Sequence, residues 1–285
     1  MAGMRDIKRR IRSVKSTQQI TRAMKMVAAA KLRKAQASVI AARPYSNKLS
    51  EVMGRLSSAQ NSFSHPLLEE RTEGKIGFVV ISADRGLCGG YNQNILRFAK
   101  DKMDAIGEDV SVICVGRKAR DFFARRKYNI REYYVDLGDL PDYIQGRELA
   151  REIIKMFNTK EFKKLYLVFT EFGSAISYKP KMIPLLPIGS EANKEEKEQQ
   201  IEYIYEPNSD EVLGTLLPRS VEINVFRALL EAKASEHGAR MTAMGSATDN
   251  AGELIDKLVL SYNRARQAAI TKEISEIVGG AAALQ

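Results

Sequence analysis

Small and apolar side chains step along the last quarter of the chain in intervals of four and three: Leu230, Ala234, His237, Met241, Met244, Thr248, Ala251, Ile255, Leu258, Tyr262, Ala265 and Ala269. That stepping is a heptad seam on one face of a helix. No proline follows Pro218, and glycines are few up to Gly279. Roughly 60 helical residues at about 1.5 Å each make about 90 Å, longer than a compact domain is wide. A seam of that length needs a partner. The other stretch long enough is at the opposite end of the chain, where Ile7, Ile11, Val14, Ala28, Leu32, Ala35, Val39, Ala42, Leu49, Met53 and Leu56 keep the same spacing. The two termini are therefore expected to pair.

The N-terminal pattern, about Met4 to Leu56, loosens between Gln18 and Lys25, where Ile20, Met24 and Val27 drift off the stripe as in an irregular coiled coil. Alanines at 28, 29, 30, 35, 37, 41 and 42 keep this helix slim for close approach. Pro44 is expected to bend it or loosen one turn. A turn-rich stretch near Asn61 to Pro66 ends it.

From Lys75 the period becomes strand-like. Ile76–Ser82 is a short apolar run, followed by the glycine-rich turn Asp84-Arg85-Gly86-Leu87-Cys88-Gly89-Gly90 and a helix over Tyr91–Ile106. A strand at Val110–Val115, a helix at Arg117–Tyr128, a strand at Arg131–Val135, a helix ending near Phe157 and a strand at Lys164–Phe172 follow. Alternation of this kind predicts an α/β layer with a largely parallel sheet. The prolines at 180, 184 and 187 restrict Tyr178–Ile188 to an edge strand or an extended connection. Ser190–Gln200 reads as a polar loop and Ile201–Tyr205 as a last short strand. Ser209 or Asp210 is expected to cap a short helix over Glu211–Leu217, with Pro218 in the first turn of the long C-terminal helix. The organisation is residues 1–60 as an N-terminal coiled-coil helix, 75–206 as an α/β domain, and 209–285 as the pairing helix.

Composition narrows this little. Of 285 residues, 44% are hydrophobic and 28% charged, which is ordinary for a chain that buries a core and excludes a disordered one. No window approaches a membrane-spanning run, and the N-terminus lacks the apolar core of a secretory signal, so a non-spanning protein on the cytoplasmic side is expected. Two cysteines, Cys88 and Cys114, make neither a disulfide framework nor a zinc site and fit a reducing compartment. Charge is more telling. Of the net +10, residues 1–43 hold twelve Lys or Arg against Asp6 alone. A basic helix of this kind suits nucleic acid, an anionic membrane surface or an acidic protein surface, or is simply a solvated face.

The most enzyme-like feature is strand, DRGLCGG, helix, because a glycine turn at a helix N-terminus can cradle phosphate. Its spacing is G-x-x-G-G, not the dinucleotide G-x-G-x-x-G, and no G-x-x-x-x-G-K-[ST] occurs. A tight structural turn explains it as well. His65 precedes a proline and His237 sits on the seam, so no imidazole triad or metal cluster assembles, and the many acids are placed on solvated helix faces. Cys88 lies near a helix start and Arg85, which would lower its pKa, yet no general base is evident beside it. On the last helix, Arg264, Arg266, Gln267, Thr271, Lys272 and Glu273 form a polar stripe, with 266 and 273 seven apart and facing alike. Such a stripe is either a solvated face or a register that another protein grips.

Four ordered motifs then carry a resemblance that covers in effect the whole chain: MAGMRDIKRRIRSVKSTQQITRAMKMVAAAKLRKAQ, SADRGLCGGYN, IEYIYEP and ARMTAMGSATDNAGELIDKLVLSYNRARQAAITKEISEIVGGAAA. The chain resembles the γ subunits of bacterial F-type ATP synthases. The resemblance implies the α/β fold class, a long antiparallel coiled coil of the terminal helices with an inserted Rossmann-like α/β domain. It implies a rotating central shaft inside a hexamer of three α and three β subunits, coupling proton flow to ATP synthesis or hydrolysis at the β sites. The implied chain has no catalytic site, cofactor, metal or substrate of its own. Its implied partners are α, β, the ε subunit and the c-subunit ring at the cytoplasmic face of the cell membrane, where it is peripheral, and nucleic acid is not among them. By position, Arg266, Gln267, Thr271 and Glu273 match a contact with a β-subunit loop, and Met24, Lys25 and Lys31 a stretch near the acidic lever of β. Asp84, Arg85, Leu87 and Cys88 match rotor surface near that lever, and Tyr205, Glu206 and Pro207 the contact with the c ring. The insert with paired cysteines of chloroplast relatives is missing. Two rival readings make separable predictions: an enzyme acting through its α/β domain would bind nucleotide stoichiometrically, and a nucleic-acid-binding coiled coil would show steeply salt-dependent affinity.

Overall fold

The computed structural model describes residues 4–59, 65–107, 109–189 and 208–282. The chain runs α1 (Met4–Ala59), β1 (Lys75–Ile81), α2 (Tyr91–Ile106), β2 (Val110–Val115), α3 (Arg117–Arg125), β3 (Asn129–Tyr134), α4 (Tyr143–Asn158), β4 (Phe162–Phe172), β5 (Tyr178–Leu186) and α5 (Ser209–Ala282). It separates into two compact units, one of Met1–Val27 with Met241–Gln285 and the other of Ala28–Arg240.

Within the second unit the sheet order is β3-β2-β1-β4-β5, parallel except for the antiparallel edge strand β5. The two-residue period of the strands sorts side chains to two faces. Phe78, Val80, Val112, Cys114 and Val168 meet Ile95, Leu96, Ala99 and Met103 of α2 and Ala119 and Phe123 of α3. Val79, Ile81, Ile113, Leu165, Leu167 and Phe169 face the other way, onto α4 and onto Leu213 to Ala232 of α5, with Leu49 and Met53 of α1 in the same core. The expected edge strand at the three prolines is β5, and Pro180 and Pro184 lie on it, where a missing donor is tolerated.

Two expectations are corrected. There is no separate helix before Pro218, because α5 is continuous from Ser209 to Ala282 with Pro218 inside it. The residue four positions back, whose carbonyl loses its helical donor to that ring, is Gly214. The cap is Asn208, whose Oδ1 accepts from the Glu211 N–H at 2.9 Å and whose Nδ2 donates to Glu211 Oε1 at 3.2 Å. Pro44 likewise lies inside the continuous α1. The predicted loop at 190–200 and strand at 201–205 lie outside the described residues.

In the first unit the two terminal helices pair antiparallel: Gln18 Nε2 donates to the Thr248 carbonyl at 3.4 Å and lies 3.1 Å from the point a Cβ on Gly252 would take, while Lys25 sits over Gly245. The loosened stretch of α1 thus packs through Gln18 and Thr21 against a small-residue face, leaving Ile20 and Val27 exposed. Within the second unit α1 and α5 are also antiparallel, with Arg43 bound to Glu231 and Arg227 to Asn47.

Candidate functional site

The C-terminal edge of the parallel strands is where open α/β sheets hold ligands, next to the strand at which the order reverses. Here the chain's own groups fill that edge. Asp84, directly after β1, accepts the Arg117 N–H of α3 at 2.9 Å on one oxygen and the Asp136 N–H at 3.2 Å on the other. Its carboxylate takes the position at the α3 N-terminus that a bound anion would take. Ser82 Oγ accepts the Ala119 N–H of the same helix at 2.8 Å, and Asn92 Oδ1 accepts the Ala83 N–H at 3.0 Å. The glycine-rich turn is therefore a tight connection held by side chains on both sides.

From that turn Arg85 and Leu87 are exposed, whereas Asp84 is half-buried and Cys88 is buried among Ala83, Tyr91 and Ala239. Leu87 adopts φ 60°, a left-handed backbone that a leucine rarely takes, and it stands 64% exposed. The expected lowering of the Cys88 pKa is overturned: burial pushes this thiol up, and the cation that opposes burial is Arg240 on α5, not Arg85. Cys114, in the middle of β2, is pushed up to about 12 by burial.

Lys31, matched to the lever contact, already pairs with Asp139 in the β3–α4 connection at 2.6 Å, and that contact holds the Asp139 carboxyl below its usual range. The Asp139 carbonyl lies 3.1 Å from His237 Nε2, and burial lowers the pKa of that imidazole. In the first unit, Met24 is half-buried and Lys25 exposed. Arg266, Gln267, Thr271 and Glu273 are all exposed on α5, on a stretch where Ile270, Ile274, Ile277 and Val278 are exposed as well. Tyr205, Glu206 and Pro207 lie outside the described residues.

Sequence reasoning missed a set of buried charges. Glu222, Glu231 and Glu236 are 6%, 0% and 4% exposed, so the acids of α5 do not all lie on solvated faces. Glu236 pairs with Lys233 at 3.2 Å and Arg240 at 2.8 Å, and Arg240 in turn reaches the Gly86 carbonyl at 3.2 Å. The signal available was the spacing, since Arg227–Glu231 and Glu236–Arg240 are four apart. Their burial was not, because it comes from the sheet and α1 covering two sides of one helix.

A small α/β layer carried on two long terminal helices, with its ligand edge closed by its own side chains, matches one family of proteins. The family model described as ATP synthase matches residues 3–284. Curated relatives include the ATP synthase gamma chains of Heliobacterium modesticaldum and Moorella thermoacetica, each 57% identical, and of Desulfitobacterium hafniense, 55% identical, with 100% of both chains covered in every case. The chain belongs to the ATP synthase γ chain family. Among solved structures, a chain of the Euglena gracilis mitochondrial ATP synthase superposes with a TM-score of 0.71 at 19% identity, covering 99% of this chain and 94% of that one. One from the central stalk and c-ring structure of the Tetrahymena thermophila enzyme gives 0.62 at 22%, covering 80% and 99%. These two likenesses concern the fold.

Proposed function

We propose that this chain is the rotating central shaft of a bacterial proton-driven ATP synthase, a subunit without an active site of its own, turning inside a hexamer of three α and three β subunits. The observation that carries the reading is the end of α5. From Thr271 to Ala281 every residue is exposed, and Ile270, Ile274, Ile277 and Val278 are 47%, 55%, 71% and 62% exposed. A helix left bare on all sides with large apolar side chains on it calls for a surrounding sleeve. Arg266, Gln267, Thr271 and Glu273 are exposed beside this stretch and suit a grip by a β-subunit loop. The basic N-terminal helix, through Met24, Lys25 and their neighbours, suits an acidic β lever, and the exposed Arg85 and Leu87 of the glycine-rich turn are rotor surface that the same lever would meet. Lys31 reaches that lever by exchanging Asp139 for it, an inexpensive exchange since both side chains are solvated.

Among the described residues no helix is long and apolar enough to cross a membrane. The chain works peripherally at the cytoplasmic face, its foot contacting the ε subunit and, through Tyr205, Glu206 and Pro207, the c ring. One proton crossing ~150 mV releases about 3.5 kcal/mol, less than one ATP requires, so several steps must be pooled through a stiff element. Mixing the chain with α and β subunits tests the reading: one copy entering an active hexamer, by sizing and ATPase assay, is the expected result. A chain that stays free while binding nucleotide or nucleic acid would refute it.

A further inference from the structure

Strand β4 outruns its neighbour. The last residue pair between β1 and β4 is Val80 with Val168, yet β4 continues to Phe172, so its edge facing β1 has no strand partner over the final residues. Side chains of the two long helices complete that edge. Ser235 Oγ on α5 donates to the Thr170 carbonyl at 3.3 Å, Glu231 Oε2 accepts the Phe172 N–H at 3.1 Å, and Arg43 Nη2 of α1 donates to the Phe172 carbonyl at 2.5 Å. The other oxygen of Glu231 accepts from Arg43 Nε at 3.3 Å and Arg227 Nε at 3.0 Å, and Arg227 reaches on to Asn47 of α1 at 2.8 Å. The Glu231 side chain has no exposed surface, and it binds α1, α5 and β4 at one point.

Apolar packing between a sheet and a helix is non-directional and resists sliding weakly, whereas charge-assisted hydrogen bonds hold a distance and an angle. Breaking one here would strand a buried charge, which is the costly alternative. We propose that Glu231, gripped by Arg43 and Arg227, is the positioning residue that makes the sheet and the two helices of this unit turn as one body, so that torque passes between them without slip. The proposal rests on the shaft reading above. A structural contact alone would move only stability; a torque-bearing one also moves stiffness and coupling.

The test uses the complete synthase reassembled with this chain, reading the torsional stiffness of the shaft in single-molecule rotation and the protons pumped per ATP hydrolysed. Glu231→Gln removes the charge at constant shape, and Arg43→Lys keeps the charge but loses the simultaneous reach to Glu231 and Phe172. Both are expected to lower stiffness by about twofold and to lower the pumping ratio, as loss of a cooperative polar network should. If Glu231→Gln does not fold, Arg43→Lys decides. Parental stiffness and pumping in a folded variant with a lowered melting temperature would overturn the torque role. Failure of the unsubstituted chain to rotate in the hexamer would overturn both this proposal and the shaft reading.

Discussion

Gly116 turns at φ 99° directly against Ser82, and a Cβ on it would fall 2.3 Å from the Ser82 carbonyl oxygen. The close approach sets the start of α3, because Ser82 Oγ accepts the Ala119 N–H at 2.8 Å and Asp84 the Arg117 N–H at 2.9 Å. Gly116→Ala must therefore move backbone, not a flexible side chain. We expect it to destabilise the chain by roughly 3 kcal/mol or more in urea unfolding, from strain and lost caps together. A loss under about 1 kcal/mol would show that the turn relaxes freely.

The exposed stripe of α5 makes the opposite prediction. Arg266→Ala and Gln267→Leu alter side chains that are exposed in the folded chain. Stability should stay within about 0.5 kcal/mol of the parent, while ATP synthesis and hydrolysis by the assembled complex fall. Parental turnover in both variants would remove these residues from the β-subunit contact.

His237 supplies a pH dependence. Its imidazole faces Lys233, Glu236 and Arg240 on its own helix and Asp139 from the β3–α4 connection, and burial lowers its pKa from the ordinary 6.5. The unfolded chain therefore binds this proton at higher pH than the folded chain does. The contribution of a neutral His237 is fully present above pH 6.5 and is lost as pH falls below it, with a slope of at most about 1.4 kcal/mol per pH unit. Urea titrations between pH 7.5 and 5.5 should show that slope reduced in His237→Gln. An unchanged slope would place the proton uptake elsewhere, His65 being the other imidazole lowered by burial.

Both thiols should be slow to react. Cys88 and Cys114 are buried with raised pKa values, so iodoacetamide at pH 8 is expected to leave both unmodified in the native chain and to label both in denaturant, read by mass spectrometry. Rapid native labelling of Cys88 would mean that its turn opens readily.

The pairing of the chain's ends was legible from periodicity. Ala28, Leu32, Ala35 and Val39 of one helix, and Leu230, Ala234, Met244, Ala251 and Ile255 of the other, are buried as the seam requires. The α2 and β2 spans were also plain, because amphipathic and fully apolar runs are local signals bounded by glycine turns. The exposed residues of the C-terminal stripe followed from the same periodicity, and what they do came from the resemblance. Sequence alone did not reveal Glu231, Glu236 or the inward turn of Asp84 and Cys88. A period reports which face of one helix is buried by one partner. The segment of α5 from Ser220 to Ala239 is covered by α1 on one side and by the sheet on another, so positions that periodicity assigns to water become interior. Their charges are tolerated only because Arg43, Arg227, Lys233 and Arg240 arrive from elsewhere in the fold or from the next turn. Long-range packing made those partners neighbours, and that is the part of this protein that only its tertiary structure decided.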